Sequence, residues 1–187
     1  MLDCLSFKID VMTMRRLILL RHAKSDWPVP GIPDQERALN RRGQESATKI
    51  GAYMARHGLI PDRVLCSSAR RAKETWIRVA AELPQAPDTV YEDRLYNATP
   101  DVILDLARKI KGARSVLLVG HNPGLEELAG LLIASGDLEH RERLRQKFPT
   151  AGLAVVDFAI DDWRKLHPHA GRLERFVAPR SLETATD

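Results

Sequence analysis

The chain has 187 residues, of which 44% are hydrophobic and 5% aromatic, and its formal net charge is +4. This length suits one globular domain with an aliphatic core, and no apolar stretch approaches the ~18 residues of a membrane-spanning helix. Because there is no signal-peptide segment, CxxC pair or basic run typical of nucleic-acid patches, we expect a cytoplasmic protein that binds neither membranes nor nucleic acid.

Strand and helix signals begin after a short N-terminal extension. Residues 1–13 are predicted to lie outside the domain, either because translation starts at Met12 or Met14 or because a short ordered segment packs on it. The continuous apolar run at 17–20 predicts a buried parallel strand. Three prolines and a glycine then predict a loop over 27–34.

The middle of the chain alternates short strands with helices. A helix is predicted over 42–57, with Gly58 in the position of a C-terminal cap. A short strand is predicted over 64–66, a helix over 69–82 and another strand over 89–91. This alternation favours a parallel arrangement of the strands.

The last part of the chain continues this pattern and then changes it. An amphipathic helix is predicted over 100–111, followed by an apolar strand over 115–119 and a helix over 125–134. The apolar face of the first of these helices is predicted to contain Val102, Ile103, Leu106 and Ile110. Two strands at 153–160 and 173–177 flank a polar turn and could form an antiparallel pair.

Strands that alternate with helices predict an α/β domain of three layers, in which a mixed, mainly parallel sheet lies between helices on both faces. The domain is predicted to span residues 14–178. Residues 179–187 are polar and are predicted to form a loose tail. The sequence gives no prediction of the oligomeric state.

Two of the predicted strands end in a histidine. The segment LILLRH ends at His22, and the segment VLLVGH ends at His121. In open α/β sheets ligands bind at the carboxyl ends of the strands, so both side chains can face one pocket. A single histidine at such a place is more often structural, whereas two in matching positions favour a shared active site.

A third segment, from Ser67 to Thr75, follows a predicted strand and opens a helix. Its serines are ordinary N-terminal caps in the simplest interpretation. Arg71 and Thr75 lie four residues apart and hence on one helical face. A helix start with arginines is also an anion site, and Arg71 with Arg21 could clamp one phosphoryl group. Such a clamp would serve a neutral histidine that attacks phosphorus.

Three features occur in the order typical of a known family: Arg21-His22, the pattern S-x-x-x-R-A-x-x-T, and the strand end Gly120-His121. With them the chain resembles the histidine phosphatase superfamily, which includes the cofactor-dependent phosphoglycerate mutases. The segments RHAKSDW, LNRRG, RLYNATP and VGHNPGLEEL are similar to those of its short phosphohistidine phosphatase branch. The resemblance runs from about residue 15 to residue 177 and implies a phosphoglycerate mutase-like fold.

The resemblance also implies roles for single residues and a reaction without a cofactor. His22 would carry the phosphoryl group transiently. Arg21 and Arg71 would bind its oxygens, and His121 would donate a hydrogen bond to it. Further residues of the pocket wall would be Ser25 and Asn122. For these two, turn and cap chemistry is the simpler alternative.

The general acid is where this chain departs from many relatives. A glutamate of the mutases and many esterases has no counterpart here, and the nearest equivalent position is Asn97. Asp26, Glu92 and Asp93 are candidates, although each is also an ordinary surface carboxylate. A missing acid favours a phosphohistidine substrate over an alkyl phosphate ester, because imidazole is a better leaving group than an alkoxide.

Other phosphatase chemistries fit less well. A cysteine phosphatase uses a C-x5-R loop, and the spacing from Cys66 to Arg71 is one residue short of it. No HExxH or paired-carboxylate motif supports a metallohydrolase, so no metal is predicted. The histidines available to such a site would be His22, His121, His167 and His169. A mutase would need further segments over a larger substrate.

We therefore predict a phosphatase that forms a phosphohistidine intermediate on His22 and acts on phosphohistidine in proteins. Its first alternative is a phosphomonoesterase that acts on a small phosphorylated metabolite. The second is a non-catalytic module that binds phosphorylated ligands. That module is disfavoured because binding alone would need the arginines but not the two histidines.

Overall fold

A mixed sheet of seven strands lies between two layers of helices in the part of the chain that the computed structural model describes, residues 14–27 and 30–182. The predicted extension over 1–13 lies outside the described residues. In chain order the strands are β1 (Arg15–Arg21), β2 (Arg63–Ser67), β3 (Asp88–Glu92), β4 (Ser115–Gly120), β5 (Ile133–Gly136), β6 (Leu153–Phe158) and β7 (Gly171–Val177). Their order across the sheet is β3-β2-β4-β1-β6-β7-β5.

Helices cover both faces of this sheet. The α-helices are α1 (Arg41–Arg56), α2 (Arg70–Ala81), α3 (Pro100–Arg108), α4 (Gly124–Leu132) and α5 (Leu138–Gln146). Short 3-10 helices lie in the connections at Asp34–Glu36, Asp93–Leu95, Trp163–Lys165 and Pro179–Leu182. Of the helices in the described residues, none is both long and apolar enough to cross a membrane.

The central strand β1 shows why there are two helical layers. Side chains alternate between the two faces of a strand. Leu17 and Leu19 belong to a buried cluster with residues of α3 and α4, whereas Ile18 and Leu20 pack with residues of α1 and α2. All four side chains are fully buried, so the sequence shows a continuous apolar run instead of an alternating one. The prediction of a three-layer α/β domain is confirmed.

Three neighbouring strands bring their carboxyl ends to one edge of the sheet. β4 is parallel to both β1 and β2, with Val119 opposite Leu20 on one side and Cys66 on the other. β6 pairs antiparallel with both β1 and β7, which confirms the predicted antiparallel pair near the C-terminus. Because His22 and His121 directly follow β1 and β4, the register of these strands places the two histidines side by side.

The structure differs from the prediction around α4 and α5. The helix predicted over 125–134 ends at Leu132, and the chain then turns into the edge strand β5. The sequence does not predict α5, because LEHRERLRQ has no apolar stripe and Leu144 is its one buried residue. This helix is instead started by Asp137, whose side chain accepts a hydrogen bond from the backbone N–H of His140 at 3.0 Å.

The helix predicted over 100–111 is shorter than expected. It ends at Arg108, and Ile110 is buried beyond the helix end. Val102 is 38% exposed and does not share the buried face. The buried stripe of α3 consists of Ile103, Leu104, Leu106 and Ala107. These positions are the ones that the helical repeat turns toward α4 and the sheet.

The predicted tail over 179–187 begins with regular structure. Residues Pro179–Leu182 form a 3-10 helix, and Leu182 packs against the buried cluster beneath α1. Residues 183–187 lie outside the described part of the chain. Four residues that were expected to be loose are therefore attached to the domain, and the boundary at residue 178 stays a prediction.

Candidate active site

His22 presents one ring nitrogen to a cavity and uses the other for a backbone contact. It follows β1, and its backbone N–H donates to the carbonyl of Gly120 at 3.0 Å. Its ring Nδ1 lies 2.7 Å from the carbonyl oxygen of Ala23. Because a carbonyl only accepts, Nδ1 must carry the proton, and Nε2 carries an unprotonated electron pair. The side chain is 9% exposed.

The surroundings of His22 keep this electron pair unprotonated at neutral pH. Burial lowers the pKa of His22 to about 3, and the nearby His121, Arg71 and Arg21 act in the same direction. An ordinary histidine has a pKa near 6.5. Imidazole is a nucleophile only in its neutral form, so the site holds His22 in its reactive state over the physiological range.

The loop that follows His22 is fixed by the segment LNRRG. Asn40 caps α1 by accepting a hydrogen bond from the backbone N–H of Gly43 at 2.9 Å. Its own backbone N–H donates to the carbonyl of Lys24, and its side chain donates to the carbonyl of Ser25. A Cβ atom on Gly43 would collide with the carbonyl oxygen of Lys24. Glycine at this position therefore lets α1 approach the loop that orients His22.

Arg71 reaches the same point from the first turn of α2. Its Nε donates to Nε2 of His22 at 3.4 Å, and its side chain is 3% exposed. One turn later, the hydroxyl of Thr75 donates to the carbonyl of Arg71 at 2.6 Å and accepts from the backbone N–H of Ala23 at 2.9 Å. The two residues share one helical face as predicted, and Thr75 joins the arginine to the backbone beside the nucleophile.

His121 lies next to His22, with 5.0 Å between the ring centroids. Its Nε2 is 2.7 Å from the hydroxyl oxygen of Ser67, which accepts a hydrogen bond from the backbone N–H of Ala69. The hydroxyl proton of Ser67 is then available to Nε2, which favours the tautomer of His121 with its proton on Nδ1. Burial, followed by the charge of Arg71, lowers the pKa of His121 to about 4.

This arrangement changes the interpretation of Ser67. The sequence suggests a helix cap, but α2 begins after Ala69, and its N-terminus has no side-chain cap. Ser67 is instead the last residue of β2 and is fully buried against His121. No signal in the sequence distinguishes these two roles, because both place a serine just before a helix.

Arg21 completes the group of four predicted residues. Its Nη1 donates to the carbonyl of Phe148 at 2.7 Å. Within the described residues, its Nε and the Nδ1 of His121 are buried without a hydrogen-bond partner. Because buried polar atoms are usually paired, these two unpaired nitrogens, on residues that both line one cavity, are candidates to bind an anion there. Arg21, His22, Arg71 and His121 all line this cavity of about 600 Å³.

The other predicted site residues are divided between this cavity and the surface. Ser25 and Asn122 line the cavity, as does the exposed Asp26. The amide of Asn122 is also held by the carboxylate of Glu126 at 2.8 Å. The remaining candidates for the acid, Glu92 and Asp93, do not line it. Glu92 forms an ion pair with Arg94 at 2.8 Å, which leaves it a surface carboxylate.

Asp34 is a cavity residue that the sequence does not reveal. Its carboxylate accepts hydrogen bonds from the Arg71 guanidinium at 3.0 Å and from the Tyr96 hydroxyl at 2.8 Å. The Tyr96 hydroxyl, together with the charges of Arg71 and Arg37, holds the pKa of Asp34 below its usual value. The residue ends a proline-rich loop and belongs to no motif, so only its position in space connects it to the site.

The structure disfavours a cysteine phosphatase. Cys66 is fully buried in β2, does not line the cavity, and has its pKa raised by burial, so it is not available as a thiolate. His167 and His169 are exposed and lie outside the cavity. No group of three or more His, Cys, Asp or Glu side chains in the described residues could hold a metal ion. The predicted absence of a metal stays a prediction.

Comparison with known proteins identifies the family. The model of the histidine phosphatase superfamily (branch 1) matches residues 17–98. An uncharacterized protein of Mycobacterium tuberculosis is 35% identical over 164 residues, which span 86% of this chain and 100% of that protein.

Solved structures of high similarity cover almost the whole chain. A candidate phosphohistidine phosphatase, SixA, from Agrobacterium tumefaciens is 36% identical with a TM-score of 0.74, over 88% of this chain and 98% of that chain. Its counterpart from Nakamurella multipartitia is 27% identical with a TM-score of 0.74, over 89% and 96% of the two chains. The fold, the sequence match and the resemblance of the motifs agree, and the chain belongs to the histidine phosphatase superfamily.

Proposed function

We propose that the protein is a phosphatase that passes a phosphoryl group from its substrate to His22 and then to water, and that this substrate is phosphohistidine in a protein. The observation that carries the proposal is the unprotonated Nε2 of His22, held within 3.4 Å of the Arg71 guanidinium. A buried neutral imidazole beside cationic donors suits attack on phosphorus, because the donors neutralise the phosphoryl oxygens.

The reaction has two displacement steps. In the first, His22 Nε2 forms a bond to phosphorus while the bond to the leaving nitrogen breaks, and that nitrogen keeps the electron pair and gains a proton from solvent. In the second, a water oxygen attacks phosphorus, the bond to Nε2 breaks, and inorganic phosphate leaves. Arg21, Arg71 and the Nδ1–H of His121 are the proposed donors to the phosphoryl oxygens in both steps.

The carboxylates of the cavity favour a phosphohistidine substrate. Asp34 has a lowered pKa because it is bound by Tyr96 and Arg71, so it is a poor proton donor at neutral pH. Asp26 is the predicted acid that lines the cavity, and it is exposed to solvent. An imidazole leaving group needs less help from a strong acid than an alkoxide does. The similar proteins from Agrobacterium tumefaciens and Nakamurella multipartitia, both named as candidate phosphohistidine phosphatases, support the same substrate class.

The cavity rim also suits a protein substrate. Trp27, which lines the cavity, is 84% exposed. Tryptophan is enriched among the residues that contribute most to protein interfaces, which supports a protein contact at this position. A small phosphorylated metabolite is the second candidate, because about 600 Å³ is also enough for a ligand of that size.

The test compares turnover of three substrates: a phosphohistidine peptide, a phosphotyrosine peptide and a sugar phosphate. We expect the highest kcat/KM for the phosphohistidine peptide and no turnover of any substrate by the His22→Ala variant. Equal values for all three would remove the preference for phosphohistidine. Turnover that survives His22→Ala would contradict the role of His22, and binding without turnover by the wild type would support a recognition module.

A further inference from the structure

A second cavity, of about 510 Å³, adjoins the active-site cavity. Three residues line both: Arg21, Lys24 and Thr150. The second cavity extends from this shared wall toward α1, the end of α5 and the 3-10 helix at Pro179–Leu182. A molecule that places its phosphoryl group beside His22 can therefore continue into the second cavity.

The lining of this cavity is strongly positive. Its charged residues are Arg21, Lys24, Arg42, Arg143, Lys147 and Arg180, and no acidic residue of the described chain lines it. We call this surface, without the catalytic candidate Arg21, the basic groove. Its residues come from four separate parts of the chain, so the folded protein holds like charges together.

Few carboxylates of the described residues neutralise the basic groove. Arg143 has a long contact of 3.9 Å with Glu139. Within the described residues, no ion pair is formed by Lys24, Arg42, Lys147 or Arg180. The nearby acids are paired elsewhere, Glu45 with Arg41 at 3.0 Å and Glu142 with Arg145 at 3.0 Å. In the described part of the chain, positive charge with few carboxylate partners is thus concentrated next to an anion site, which favours an anionic partner.

The form of the groove indicates an extended partner. Lys24, Arg42, Lys147 and Arg180 are exposed, as side chains at the polar rim of a protein interface usually are. Between them the wall includes the uncharged residues Ser46, Gln146 and Pro149. A site for one further phosphate would instead aim buried donors at a single point. A rim of separated cations fits a polypeptide with several carboxylates.

We propose that the basic groove binds acidic residues of the substrate protein, located next to its phosphohistidine. This inference rests on the proposed function, because it assigns the groove to the same substrate. Charges at such a rim act mainly on association, so they should affect KM and kcat/KM more than kcat. They should also make the reaction with an acidic substrate sensitive to ionic strength.

The experiment uses two synthetic peptides with the same phosphohistidine, one flanked by glutamates and the other by glutamines. The groove variant carries Arg42→Glu and Lys147→Glu. The matched control carries Lys111→Glu and Arg114→Glu, which make the same change in net charge just before the amino end of β4, away from the active site. An aryl phosphate reports the chemistry of the active site without any acidic flank.

We expect the wild type and the control to prefer the glutamate peptide by about tenfold in kcat/KM, through KM, and the groove variant to lose this preference. All three should turn over the aryl phosphate within about twofold of one another. Equal preference in the groove variant and the wild type would overturn the assignment. So would an equal loss in the control, because net charge alone would then be responsible.

The outcomes separate this inference from the proposed function. If the wild type turns over the aryl phosphate but neither phosphohistidine peptide, the proposed substrate is wrong and the groove assignment is overturned with it. If the wild type turns over both peptides equally, only the groove assignment is overturned. A groove variant that also loses the aryl phosphate reaction would show that these residues act on the active site itself, which contradicts a docking role.

Discussion

Asp34 competes with any anion that binds to Arg71, and its replacement by asparagine should strengthen anion binding. The carboxylate accepts from Nη2 of Arg71 at 3.0 Å, and the backbone carbonyl of the same residue accepts from Nη1 at 2.7 Å. Together with the contact of Nε to His22, these bonds occupy all three nitrogens of the guanidinium. A phosphoryl group must therefore share Arg71 with Asp34 or displace it.

The size of the effect follows from the exposure of the pair. The Arg71 side chain is 3% exposed and that of Asp34 is 48% exposed, so water screens their interaction on one side. If the Asp34 carboxylate and an anion bound to Arg71 lie about 5 Å apart, their charges repel each other by about 1 kcal/mol at the dielectric constant of water. The repulsion is larger at lower dielectric constants. A gain of about 1 kcal/mol corresponds to about fivefold tighter binding.

Inhibition by inorganic phosphate measures this directly. We expect Asp34→Asn to lower the inhibition constant of phosphate about fivefold, while Glu36→Gln, which makes the same change in charge on the same 3-10 helix, leaves it within twofold. An unchanged or weaker affinity for phosphate in Asp34→Asn would refute the reasoning. In that case Asp34 would orient Arg71 for the anion and would not compete with it.

Three further predictions concern the support of the two histidines. Ser67→Ala removes the hydroxyl that favours the Nδ1–H tautomer of His121, so kcat should fall about tenfold with little change in KM. An unchanged kcat, or an equal loss of kcat in the neighbouring Ser68→Ala variant, would contradict this role of Ser67. Thr75→Val leaves the buried N–H of Ala23 without its acceptor and should lower the free energy of unfolding by about 1–3 kcal/mol; an unchanged melting temperature would show that this contact is dispensable. Both active-site histidines have pKa values in the folded state, about 3 and about 4, below the 6.5 of an unfolded histidine. Because the unfolded chain takes up protons first as the pH falls, the free energy of unfolding should decrease by about 2 kcal/mol per histidine between pH 7 and pH 5. The His121→Asn variant should lose about half of that pH dependence in denaturant unfolding, and a dependence equal to that of the wild type would contradict the buried, neutral state of His121.

The sequence predicts those parts of the fold that depend on local apolar patterns. The run at Leu17–Leu20 marks a buried strand because both of its faces are covered, and β4 shows the same pattern for the same reason. Helix α5 is not predicted from the sequence, because Leu144 is its one buried residue and a single apolar position forms no pattern. Short polar helices of this kind are set by their neighbours and caps, which a pattern of apolar residues does not record.

The residues of the active site also fall into two groups, those that local sequence patterns predict and those that they do not. His22 and His121 are predictable because each ends a strand, and parallel strands place their ends at one edge of the sheet. Asp34 and the true role of Ser67 depend on contacts between segments that are far apart in the sequence. The Asp34 carboxylate meets Arg71 and Tyr96, which lie 37 and 62 residues away. No local pattern carries that information.

The most direct test of the central claim is to trap the phosphoryl group on the enzyme. The wild type, the His22→Ala variant and a His57→Ala control are mixed with a radiolabelled phosphohistidine peptide and quenched rapidly under alkaline conditions, in which phosphohistidine is stable. We predict a label on His22 in the wild type and in the control, located by mass spectrometry, and none in His22→Ala. A label on another residue, or turnover by His22→Ala at the wild-type rate, would contradict the account.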